Sequence, residues 1–194
     1  LLTWGNPDGY STRMKLQFSP EKSLYTYGEP YEVRSYSWQI EDYFIENNLK
    51  DQTYLKYMDQ MGKTYLVRDN LNAPKWRVMN EIRDILGHMC MKAVSEDPIK
   101  GQKITAWFAA DIPVPTGPEE LFGLPGLILA YDINDGMLIV EAEKIAFGEP
   151  KEPITLPKKM KGREVTGSEY QDLVKKFIQN SIDSKQAWMW EIRY

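Results

Sequence analysis

Reactive side chains are scarce in this chain: 194 residues carry one cysteine, Cys90, and one histidine, His88. A lone cysteine excludes an internal disulfide framework. A closed zinc site is weakly supported, since it needs four ligands and there is only one His and one Cys. No apolar run approaches the roughly 20 residues of a membrane-spanning helix, and the first residues carry no signal-peptide pattern. G-x-S-x-G, Walker and dinucleotide-binding loops are missing, as are internal repeats and low-complexity tracts. Positive charge is not in excess either. The formal net charge is −4 and the pI near 5.2, which argues against a general nucleic-acid binder. The one basic cluster, Lys158-Lys159-Met160-Lys161-Gly162-Arg163, reads as a solvated loop.

What is abundant is strand-forming material. With 42% hydrophobic and 12% aromatic residues, the chain can bury a sizeable core, and no linker tract divides it, so a single domain over residues 1–194 is expected. Met14, Leu16 and Phe18 alternate with polar residues. Tyr54–Met58 and Thr64–Arg68 flank a Gly62 turn as a hairpin. Further strands are expected over 76–80, 85–94, 103–109, 127–133 and 137–145, the last two joined at Asp135-Gly136. Residues 38–49, with Tyr43 and Phe44 among acidic neighbours, suggest a short amphipathic helix.

The C-terminal region carries the strongest helix signal. Thr166-Gly167-Ser168-Glu169 is a capping box, followed by Tyr170, Leu173, Val174, Phe177, Ile178 and Ile182 at 3.6-residue spacing. Leu173, Val174 and Phe177 are expected to be nearly inaccessible. After it, Trp188, Trp190, Ile192 and Tyr194 alternate as a terminal strand would. The fold class is therefore mainly β (α+β): a curved antiparallel sheet, a partly open barrel, with the C-terminal helix packed on it.

Phe122-Gly123-Leu124-Pro125-Gly126-Leu127-Ile128-Leu129 is a turn feeding a strand. Pro125 biases Leu124 towards extended angles, while Gly123 and Gly126 can take backbone angles closed to other residues. Gly126 is expected at positive φ. Upstream, in order, stand Trp76-Arg77-Val78, Ile85 to Ala93, Gly101-Gln102 with Thr105-Ala106-Trp107-Phe108, Ile112-Pro113 and Gly117-Pro118. Together with the glycine-proline signature these blocks resemble the GLPGLI family, secreted or envelope-bound proteins of Gram-negative bacteria whose biochemical role is largely undefined. His88 and Gln102 depart from the family pattern, which more often has an aromatic and an arginine there. The resemblance implies export to the periplasm or outer membrane, a leader removed before Leu1, and association with transport or surface systems.

Candidate chemistry centres on His88-Met89-Cys90-Met91. On a strand His88 and Cys90 share one face and the thioethers the other. Imidazole with sulfur would suit copper(I), but methionine and cysteine are ordinary core fillers, and an inert buried thiol is favoured over both a metal site and a Cys-His nucleophile. Glu41-Asp42 and Glu119-Glu120 read as solvated pairs. A rigid, proline-punctuated loop over 111–125 is a candidate recognition surface, with Trp107, Pro113, Gly117, Pro118, Phe122, Gly123, Pro125 and Gly126 as binding residues. The expected function is a non-enzymatic envelope protein, without cofactor, that binds an envelope or outer-membrane protein or an apolar ligand or peptide. A copper-binding accessory using His88 and Cys90 is the alternative, and a cysteine-dependent enzyme comes third.

Overall fold

The computed structural model describes residues 12–28, 43–60, 63–149, 155–156 and 160–184. Among these residues the fold is mainly β with one helix, and the strands divide into two sheets with no closed barrel. In the first, β1 (Met14–Phe18), β2 (Lys22–Tyr27), β3 (Phe44–Asn48), β4 (Thr53–Gln60) and β5 (Lys63–Asn70) run antiparallel in chain order. The second contains β6 (Arg77–Ile85), β7 (His88–Asp97), β8 (Gln102–Ala109), β9 (Leu127–Ile133) and β10 (Leu138–Glu141), again a meander. The last strand, β11 (Arg163–Thr166), returns to the first sheet and pairs parallel with β5. That return carries the chain into the helix α1 (Gly167–Asp183).

Capping chemistry starts the helix as expected. Thr166 accepts from the Glu169 backbone N–H, and the Thr166 N–H donates to the Glu169 carboxylate at 2.8 Å. The buried stripe differs in detail. Tyr170 and Val174 are buried against Met58, Tyr65, Val67 and Val165, with Leu173 and Ile178 packed at the edge. Phe177 is only half-buried and Ile182 is exposed, while Ser181 near the helix end is buried. Among the described residues, no helix is long and apolar enough to cross a membrane, which says nothing of strands.

Three other expectations change. Residues 44–48 form a strand, not a helix: β3 is held between β2 and β4, and Ile45 and Asn47 are buried at alternate positions, the period of a pleat. Residues 38–42 lie outside the described residues, as do the Gly62 turn, Lys158, Lys159 and the expected strand from Trp188 to Tyr194. The strand expected over 85–94 is split by a two-residue hairpin, with Leu86 at φ 55° and Gly87 at φ 84° between the paired Ile85 and His88. These are the angles of the turn that matches strand twist, and an apolar Leu86 hid it. At the other end, β10 holds four residues rather than the nine expected over 137–145.

Candidate functional site

The loop after β8 is a folded plug. Ile112 N–H donates to the Ala109 carbonyl, Leu127 N–H to Ile112, Gly123 N–H to Pro115 and Ile128 N–H to Thr116. Leu121 and Leu124 are buried with Phe108 and Ile128 on one face of the second sheet. Ile112 and Val114 are buried with Cys90, Leu127 and Leu129 on the other, where Leu16 and Phe18 of β1 also pack. A buried Ser23–Thr116 hydroxyl contact of 2.7 Å ties the loop to β2. The loop thus joins the two sheets.

Of the eight residues expected to bind, Gly117, Pro118, Phe122 and Gly126 are buried, whereas Pro113, Gly123 and Pro125 are exposed. The Phe122 carbonyl accepts from the Trp76 indole at 2.8 Å. Trp107 stands apart from the signature turn: on a face of the second sheet it is flanked by Arg83 and Lys92, 4.9 and 5.9 Å from its ring. Those cations pair in turn with Glu141 and Glu81. The glycines also exchange roles. Gly123, not Gly126, has positive φ, at 88°, whereas a Cβ on Gly126 would overlap the Ala109 carbonyl oxygen. Close backbone approach is what Gly126 provides.

His88 and Cys90 do share a face. Asp111 Oδ2 lies 2.7 Å from His88 Nδ1; a carboxylate only accepts, so Nδ1 carries the hydrogen of this contact. Cys90 is fully buried, and its thiol contacts the His88 carbonyl. Burial, then the nearby Asp111 charge, pushes that thiol up to about 11. It is therefore a protonated core side chain at neutral pH. No group of three metal-binding side chains assembles among the described residues.

Two features escaped the sequence. The first is Lys56, buried on the inner face of β4, with its ammonium 2.7 Å from Glu120 and 5.1 Å from the centre of the Tyr170 ring. Burial alone would raise the Glu120 pKa, but the charge and hydrogen bond of Lys56, and then Lys100, hold it below the usual carboxylate range. Lys100 is pulled down by burial and then by Lys56, and Tyr54 is pushed up by burial and then by Glu120. Sheet, loop and helix are pinned at this ion pair. Glu120 is thus engaged rather than simply solvated, and the period-2 phase of Tyr54, Lys56 and Met58 was the available signal for an inward lysine.

The second is an open groove of about 390 Å³ across β3, β4 and β5. Glu46, Leu55 and Arg68 form one cross-strand row in it, and Asn48, Thr53 and Asn70 the next. Both rows stand on hydrogen-bonded strands, so the groove is rigid. Two strand spacings place Glu46 and Arg68 about 10 Å apart across Leu55.

The family model described as "Protein of unknown function (Porph_ging)" matches residues 96–130, which run from the end of β7 through the loop into β9. No curated protein matches the chain. Solved structures of PNGF-II in space groups C2 and P21 are similar to it, with TM-scores of 0.59 and 0.63 and identities of 21% and 20%. They align with 80% and 87% of this chain but 28% and 30% of their own. The chain spans less than a third of those structures, and the likeness is one of fold.

Proposed function

We propose that this protein is a non-enzymatic module of the cell envelope that binds another protein, taking an extended polypeptide segment in the groove across β3, β4 and β5. The observation that carries this reading is the row Glu46–Leu55–Arg68, a carboxylate and a guanidinium flanking an apolar floor. An extended segment covers about 10 Å in three residues. A basic residue over Glu46 and an acidic one three positions away over Arg68 would match the row, while Asn48, Thr53 and Asn70 supply hydrogen-bonding partners for peptide groups.

The fit for an apolar ligand is poorer, since Tyr170 and Val174 occupy the inner face of the first sheet. A soft-metal role is also the poorer fit: Asp111 engages His88 Nδ1, and the Cys90 thiol is buried and protonated. The same thiol argues against a cysteine enzyme. The GLPGLI resemblance, whose signature falls within the matched residues 96–130, supports export to the periplasm or outer membrane. The likeness to part of a longer protein, PNGF-II, fits a module that works beside other parts.

Photocrosslinking in the producing cell tests the groove. A photoreactive residue at Thr53 should give a discrete protein adduct that disappears with Arg68→Glu. An adduct indifferent to that change, or crosslinking to lipid alone, would overturn the proposal.

A further inference from the structure

Among the described residues the second sheet ends at β6, which has no neighbouring strand on its outer side. Among the described residues the sheet edges are β1, β11, β10 and β6, of five, four, four and nine residues. Long free edges are commonly blunted, because unpaired N–H and C=O groups template association. Here the blunting is partial: a bulge interrupts pairing with β7 between Val78 and Ile82, and beyond it the register is regular to Ile85.

Which groups point outward follows from the hairpin. In a two-residue turn of this kind the flanking pair, Ile85 and His88, exchanges both hydrogen bonds, and so does Arg83 with Cys90 two residues on. Ile82 and Asp84 therefore direct their N–H and C=O groups away from β7. Side chains along this edge are mostly apolar on one face, with Asp84 its charged member, and charged on the other. Ile82 is 66% exposed, and Val78, Met89 and Met91 lie on its face. Glu81 and Arg83 share the opposite face, each held from its own chain by Lys92 or Glu141 and about half exposed.

We propose that β6 pairs antiparallel with β6 of a second copy of this chain, about a two-fold axis at Ile82. This register sets Ile82 against Ile82 of the second copy as a hydrogen-bonded pair. It also sets Glu81 opposite Arg83 of the second copy and Arg83 opposite Glu81, two charge matches from one symmetry operation. Shifting the axis by one residue to Glu81 would bring like carboxylates together and turn the wrong backbone groups to the partner. Charge complementarity thus selects both the occupant and the register.

Sedimentation of the whole chain from about 1 to about 500 μM, the range in which modest interfaces dissociate, tests the pairing. The wild type should dimerise. Ile82→Lys and Arg83→Glu should each weaken the dimer at least about tenfold; Ile82→Lys, at a side chain 66% exposed, should do so with little change in thermal midpoint, whereas Arg83→Glu also gives up its Glu141 and Trp107 contacts and should lower the midpoint as well. The double variant Glu81→Arg/Arg83→Glu should recover it, because a two-fold pair regains its matches when both charges are exchanged in one chain. Failure of the double variant to recover, a dimer indifferent to these changes, or a wild type that stays monomeric or pairs β6 only with a different polypeptide would overturn the inference.

Discussion

Replacing Gly126 with alanine would drive one methyl group into backbone rather than into a yielding side chain. The added Cβ would overlap the Ala109 carbonyl oxygen and stand 2.7 Å from its carbon and 2.9 Å from the Ala110 Cα. Relief requires β8 and the entry of β9 to separate, at the expense of the Leu127–Ile112 and Ile112–Ala109 hydrogen bonds of 2.9 and 3.2 Å. Overpacking costs about 1–3 kcal/mol, and each weakened hydrogen bond about 1 kcal/mol more. A loss of about 3 kcal/mol is expected, or a fall of about 6–12 °C in thermal midpoint at this size. Gly87→Ala is the comparison: its φ is positive, yet nothing lies within 4 Å of the new methyl, so only the left-handed strain of about 1–2 kcal/mol applies. Equilibrium urea denaturation followed by tryptophan fluorescence measures both. If Gly126→Ala proves no more destabilising than Gly87→Ala, close packing against Ala109 is not why glycine stands there.

Val174→Ala should cost about 2 kcal/mol, as a truncation in the buried stripe, and Phe177→Ala clearly less than the ~3–5 kcal/mol of a core phenylalanine; equal losses by urea denaturation would contradict the observed helix face. Lys56→Met should be close to neutral, while Glu120→Ala should cost about 2 kcal/mol, less than a wholly buried pair because Glu120 is 46% exposed. Since the folded-state pKa of Glu120 lies below its ordinary 4.5, its contribution is present above that value and lost as pH falls through the lower one, and acid titration of Glu120→Ala should lack that component. Cys90 should react with a thiol reagent far more slowly in the native than in the unfolded protein. With its pKa raised from 9.0 to about 11, the stability linked to the protonated thiol is complete below pH 9 and drains away as pH rises towards 11; fast native labelling would show an open thiol.

Local signals were legible and long-range pairings were not. The capping box at Thr166 and Glu169 lies within one helical turn and is readable to the residue; the strands over 103–109 and 127–133, whose apolar runs are closed by turn residues, are readable to within one residue. Alternation shows which residues share a face but not which strand lies beside them, so the division into two sheets and the parallel return of β11 to β5 could not be read. The hairpin at Leu86-Gly87 was hidden because a leucine occupies a left-handed position usually signalled by Asn or Gly. Lys56 and Glu120 meet only after the loop folds across the first sheet, and the row Glu46–Leu55–Arg68 needs three strands in register. The roles of Trp107, Gly123 and Gly126 are set by distant neighbours: cations flank the indole, Gly123 takes positive φ beside Ala73, and Gly126 lets the Ala109 carbonyl approach.

Native mass spectrometry of the protein purified from the envelope of its producing cells tests the binding proposal most directly, because polypeptide, lipid and metal adducts differ in mass. The account predicts a complex with a different polypeptide that is lost in the Arg68→Glu variant. A stoichiometric lipid or copper adduct with no such polypeptide would contradict it.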